Sequence, residues 1–141
     1  MAKKDFVSLL FCIWASSNVF SQVGVTAYFG NVLEVNTSKQ KMISGGLKVA
    51  LNNTLFDTSF ELFGMYNLKA ADYHRFSMGV GVMLAPFQDR DAYRGISIPV
   101  QLEVFPLQNF RRLSFVTEVA PQWTTDSEAA FRYLVGIRYT F

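Results

Sequence analysis

Wherever this chain alternates apolar and polar residues, its charged side chains keep to one side of the alternation. Nine lie inside such stretches: Glu34, Lys48, Glu61, Arg75, Glu103, Arg112, Glu118, Arg132 and Arg138. All nine fall among the polar positions and none among the apolar ones. A side-chain period of two belongs to the β-strand, in which successive residues face opposite sides of a sheet. The pattern therefore asks for a sheet with one largely apolar, uncharged face and all of its strand charge on the other.

Seven stretches read this way, near 23–35, 43–52, 59–68, 75–84, 96–104, 112–123 and 129–141. The last is the most aromatic. Phe131, Tyr133, Val135, Ile137, Tyr139 and Phe141 alternate there with Arg132, Gly136, Arg138 and Thr140, and Leu134 is the one exception. Asn31 interrupts the apolar face of the first stretch. Pro99 and Pro121 fall inside two others, where proline removes a ladder hydrogen bond and marks a bulge or a strand end. These stretches run near the ~9–11 residues that a tilted membrane strand needs, whereas strands in soluble domains average about 5–6. A Lys or Arg facing lipid at mid-membrane costs ~2–4 kcal/mol, so a bilayer would enforce the observed segregation.

The first 21 residues are expected to be a signal peptide. Lys3 and Lys4 precede an apolar run from Phe6, and Val19 and Ser21 suit the small-residue positions of a cleavage site before Gln22. One domain, 22–141, would remain. The single cysteine, Cys12, rules out an internal disulfide framework. It is also a poor lipid-attachment site, since Phe11 precedes it where a small residue belongs. No later stretch approaches the ~20 apolar residues of a membrane helix, so any crossing would be made by strands. Hydrophobic residues are 50% of the chain and aromatic ones 16%, generous for a soluble domain. A formal charge of +2 leaves no basic footprint for nucleic acid.

In its long aromatic C-terminal strand ending on Phe141, and in its leader, the chain resembles the small outer-membrane β-barrel proteins of Gram-negative bacteria, of the OmpA/OmpX type. The resemblance implies an all-β fold, an antiparallel up-and-down transmembrane β-barrel of about eight strands in the outer membrane. It also implies contact with outer-membrane lipid, and with the barrel-assembly machinery through a C-terminal signal that includes Tyr139 and Phe141. Such single-chain barrels have an even number of strands. Against the seven stretches, an eighth is sought in 53–58 or 85–95, unless two of the seven are drawn wrongly. A soluble immunoglobulin-like sandwich also has seven short strands with one wet face and is the main rival.

If the polar face is the inside, Lys48, Glu61, Arg75, Glu103, Glu118, Arg132 and Arg138 form an interior charge network. Buried ions are tolerable only when paired, and the nine strand charges comprise four Glu and five Lys or Arg. Gly24, Gly30, Gly46, Gly79, Gly81 and Gly136 share that face, leaving room for long side chains in a narrow interior; Gly45 and Gly64 do not. Trp123, Tyr139, Phe141, Phe56, Phe105 and Phe110 are expected to form an aromatic girdle at one interface, where amphipathic rings favour the headgroup level.

Chemistry is sparse. His74 is the only histidine, so no multi-histidine metal site can form. No motif ties it to Ser77, Asp72 or Asp91 as an acid–base site. There is no glycine-rich phosphate loop, G-x-S-x-G or C-x-x-C. Neither catalysis nor a cofactor is expected. Three roles remain: a closed barrel with a structural or surface-interaction role, an accessory subunit bound to an envelope protein partner, and a soluble exported β-barrel or sandwich holding a small apolar ligand. Asn31 and Thr117 are the polar hints of a lateral protein contact.

Overall fold

The computed structural model describes residues 22–37, 41–51, 58–68, 71–87, 91–125 and 129–141. They form nine strands: β1 (Gly24–Tyr28), β2 (Val32–Asn36), β3 (Ile43–Ala50), β4 (Ser59–Asn67), β5 (His74–Leu84), β6 (Tyr93–Ser97), β7 (Val100–Val104), β8 (Leu113–Thr124) and β9 (Ala130–Thr140). Each pairs antiparallel with its neighbours in one sheet, and β1 closes the ring on β9. The fold is a closed antiparallel β-barrel. Closure removes the exposed strand edge that an open sheet presents.

The wall has eight positions because β6 and β7 share one. On β5, Gly81 faces Ser97 and Met78 faces Val100, three residues on from Ser97 and three back from Gly81. On β8, Gln122 faces Ser97 and Val119 faces Val100, the same offset again. The two short strands thus continue one register, interrupted at Ile98 and Pro99. Pro99 has no N–H to give, and its carbonyl still accepts from the Gly79 amide. The proline is accommodated at a strand end, one of the two outcomes its position allows.

The eighth wall position comes from the first stretch; of the two segments where it was sought, 53–57 and 88–90 lie outside the described residues. Residues 23–35 are not one strand but a hairpin, β1 and β2, turning at Phe29, Gly30 and Asn31. Gly30 and Asn31 both have positive φ, 101° and 63°. Glycine enters that region freely, and asparagine does so more readily than most residues. The hairpin pairs Val25 with Val35 and Tyr28 with Val32. Paired residues differ by an even number, so the inward–outward alternation passes through the turn without a break in phase. This is why one alternating run conceals two strands. Residues 52–57 and the expected leader, 1–21, lie outside the described residues.

The sides of the wall are the reverse of a globular sheet. Phe131, Tyr133 and Val80 point outward with 65%, 70% and 59% of their surface exposed. Glu34, Lys48, Glu61, Glu103, Glu118 and Arg138 are buried inside. Gly24, Gly46, Gly79, Gly81 and Gly136 line the interior as expected, while Gly30 belongs to the turn. At Gly136 a Cβ would strike the Ala27 carbonyl oxygen and the Tyr28 ring, so only glycine lets β1 and β9 carry Tyr28 across the lumen. Gly45 and Gly64 face each other on the outer surface.

Antiparallel up-and-down winding gathers the connections at two rims. Gln22, Phe141 and the β2–β3, β4–β5 and β7–β8 connections share one, called the Phe141 rim. The β1–β2, β3–β4, β5–β6 and β8–β9 connections share the other, the Gly30 rim. No helix among the described residues is long and apolar enough to cross a membrane, which says nothing against crossing by strands.

Candidate functional site: the ion-paired interior

Register places the interior charges before any side chain is considered. Residues directly opposite on neighbouring strands bring their Cβ atoms within about 4.5–5.5 Å. Lys48 on β3 lies opposite Glu34 on β2 and Glu61 on β4. Glu103 on β7 lies opposite Arg75 on β5, and Gln101 opposite Glu118 on β8. One row of the wall is therefore acid–base–acid by pairing alone.

Closure then adds contacts across the lumen. Lys48 Nζ, 3.5 Å from Glu61 and 3.8 Å from Glu34, makes its shortest contact, 2.7 Å, with Glu118 on the far wall. It also sits 4.3 Å above the Phe63 ring. Arg132 donates to Glu61 through both terminal nitrogens and to Glu118 at 2.6 Å. Arg138 donates from Nε to Thr26 at 2.8 Å, from Nη1 to Glu103 at 3.0 Å and from Nη2 to Glu34 at 2.7 Å and Gln101 at 3.1 Å. Arg75 reaches Glu103 at 3.5 Å.

All seven residues expected in the network are in it. Three more belong with them. Glu34 is fully enclosed and takes hydrogen bonds from the Tyr28 hydroxyl at 2.6 Å, Asn36 at 2.7 Å and Arg138. Gln101 donates to Glu34 at 3.0 Å, Glu118 at 2.7 Å and Tyr28 Oη at 3.1 Å, while its carbonyl accepts from Arg138. Gln101 thereby joins the Arg132 cluster to the Arg138 cluster. The signal for Glu34 was its place on the charged face. For Gln101 and Tyr28 the inward parity was legible, but the lumen-spanning contacts depend on how the ring closes.

Arg112 departs from expectation. It lies in the turn before β8 and is exposed, because the chain is still rounding the Phe141 rim there. Its removal leaves Glu34, Glu61, Glu103 and Glu118 against Lys48, Arg75, Arg132 and Arg138, a formally neutral interior. Burying an unpaired charge costs several kcal/mol, and each partner here also has further hydrogen bonds. Such a network holds the strands in one register and fills the lumen. It offers no chain of like charges for an ion to follow.

The remaining candidates separate. His74 is exposed at the start of β5, whereas Ser77 is buried and donates to Asn67 at 2.7 Å. Asp72 is at the Phe141 rim with His74, but Asp91 is at the opposite rim. The structure therefore does not bring the four together. No group of His, Cys, Asp and Glu among the described residues could hold a metal ion.

The aromatic girdle divides between the rims. Tyr139 packs against Phe141 at 5.0 Å and Phe110 at 6.4 Å, all at the Phe141 rim. Trp123 ends β8 at the Gly30 rim instead, since β8 and β9 run in opposite directions. Phe105 turns inward beneath Arg111 and Arg75, at 4.8 Å and 5.4 Å. Phe56 lies outside the described residues. No family model matches this chain, and neither does any curated protein.

Proposed function

We propose that this protein is a small outer-membrane barrel of a Gram-negative envelope, with a lumen plugged by its own side chains and a structural or surface-interaction role. The observation that carries the proposal is the inverted wall. Its outward face is chiefly Phe, Tyr, Val, Leu and Ile, eight charges are enclosed behind it, and the one other Lys, Arg, Asp or Glu in a described strand, Arg94, lies at the rim end of β6. Monomeric soluble proteins rarely expose contiguous apolar patches beyond a few hundred Å², and here the apolar surface runs right round the ring. A barrel that carries an apolar ligand needs an apolar lumen, so the ionic interior favours the membrane reading over that one.

The proposed exported form begins near Gln22, and the half-buried Tyr139 with the exposed Phe141 is where the assembly machinery would read the last strand. The plug implies neither a pore nor an enzyme. Val80→Arg is the direct test. Val80 is an outward residue in the middle of β5, and the change should lower stability in lipid by ~2–4 kcal/mol. An exposed valine of a soluble protein would tolerate arginine within about 0.5 kcal/mol. Folded protein of unchanged stability, recovered from the soluble fraction, would sink the proposal. Steady ion conductance across planar bilayers would sink the plug alone.

A further inference from the structure

With the interior neutral, the remaining charge of the described residues sits at the two rims, and it is unequal. The Phe141 rim carries Lys41, Arg111 and Arg112 against one side-chain carboxylate, Asp72. The Gly30 rim, with the adjoining end of β6, carries Asp91 against Arg94.

Among the described residues, Lys41 and Arg112 are exposed at the basic rim and neither pairs with a carboxylate. Their backbones are fixed: the Lys41 carbonyl accepts from Asn67 Nδ2 at 3.0 Å, and the Arg112 carbonyl from the Thr140 amide at 2.8 Å. Arg111 is occupied, capping the Ala71 and Asp72 carbonyls and covering Phe105. Arg112 follows Phe110 by two residues, and Phe110, Tyr139 and Phe141 form an aromatic cluster of the kind that settles among headgroups. Lys41 precedes the exposed Met42 and Ile43 in the same way.

We infer that the Phe141 rim binds the headgroups of anionic phospholipids, the singly charged phosphodiesters of the adjoining leaflet; this rests on the membrane reading above. The spacing selects a lipid surface over one multiply charged ligand. Lys41 lies two residues before β3 and Arg112 directly before β8, four positions apart in a ring of eight, or ~20 Å round the wall at ordinary strand spacing. Cations on opposite sides of a barrel match many small anions in a layer. They cannot close on a single anion.

The test exchanges the purified protein into bilayers of phosphatidylcholine with a minority of phosphatidylglycerol and measures, by mass spectrometry, the lipids retained. Phosphatidylglycerol should be enriched over its bulk share. Lys41→Gln and Arg112→Gln should each lower the enrichment about fivefold, the equivalent of ~1 kcal/mol per cation beside an anionic surface. Rising salt should do the same, and Asp91→Asn at the other rim should leave the enrichment unchanged. Heat-modifiable migration like that of the unaltered protein shows that the double variant still folds. Retention at the bulk ratio, or full enrichment in the double variant, overturns the inference. So does salt-sensitive capture of an acidic peptide without lipid enrichment, which would assign the rim to a protein. Insertion into pure phosphatidylcholine, followed by flotation, separates the two proposals. Insertion without a headgroup preference removes this one only, and failure to insert removes both.

Discussion

Arg132 and Arg138 project from the same face of β9, six residues apart, and meet different surroundings. Arg138 is 1% exposed, and all three of its nitrogens donate, to four acceptors on three other strands. Arg132 retains 21% of its side-chain surface near the Gly30 rim and pairs with Glu61 and Glu118, while its Nε has no partner. Identity, strand and face are shared, and each lies two residues inside an end of β9, so the difference is in how completely the lumen covers each guanidinium. A covered guanidinium has given up all its water and must be repaid by fixed acceptors. A partly exposed one keeps some solvent, and solvent screens its ion pairs.

The contrast should be largest on truncation of the covered member. Arg138→Ala takes from Glu34 and Glu103 their nearest cation, leaving Lys48 at 3.8 Å and Arg75 at 3.5 Å, and should cost ~3–5 kcal/mol, the range for removing one partner of a buried pair. Denaturant unfolding in micelles, followed through Trp123, would measure it. A loss no greater than that of Arg132→Ala would break the comparison.

Arg132→Ala should cost less, ~1–2 kcal/mol, given charged hydrogen bonds partly screened by solvent. Its cost should also shrink as salt rises, because exposed pairs are screened within ~10 Å at 0.1 M ionic strength. Arg138→Ala should respond little to salt. Equal salt slopes for the two variants would mean that water reaches both ends of the lumen.

The smallest effect tests the bridge between them. Gln101→Leu removes the amide that touches Glu34, Glu118 and Arg138, and a double-mutant cycle of Arg132→Ala with Arg138→Ala, run with and without it, reads the coupling. The two arginines should be coupled by ~0.5–1 kcal/mol, and Gln101→Leu should weaken the coupling without abolishing it, because Lys48 also contacts both Glu34 and Glu118. Additivity in both backgrounds would make the network two independent clusters.

Much of this was legible from alternation. The all-β class, the outward Phe131, Tyr133 and Val135, and the inward Arg132 and Arg138 follow from a period of two. So does the membership of Lys48, Glu61, Arg75, Glu103 and Glu118 in one interior. Two errors share a cause, which is that parity carries no information about direction. The Gly30 turn preserves parity, so β1 and β2 read as a single strand, and the wall came out one strand short. Arg112 has inward parity but lies where the strand has not yet begun. Pro99 could be recognised as an interruption, though not as a joint between two halves of one wall position.

The sequence alone determined which side of each strand a residue occupies, because successive side chains of an extended backbone must alternate. Only the closed ring decided which charges meet. Lys48 with Glu118, Arg138 with Glu34, and Gln101 with Tyr28 lie on strands that do not adjoin, and they touch because eight wall positions enclose a lumen narrow enough for side chains to span. Pairing between neighbours is local and follows register, whereas pairing across a lumen depends on curvature, which no stretch of the chain contains by itself.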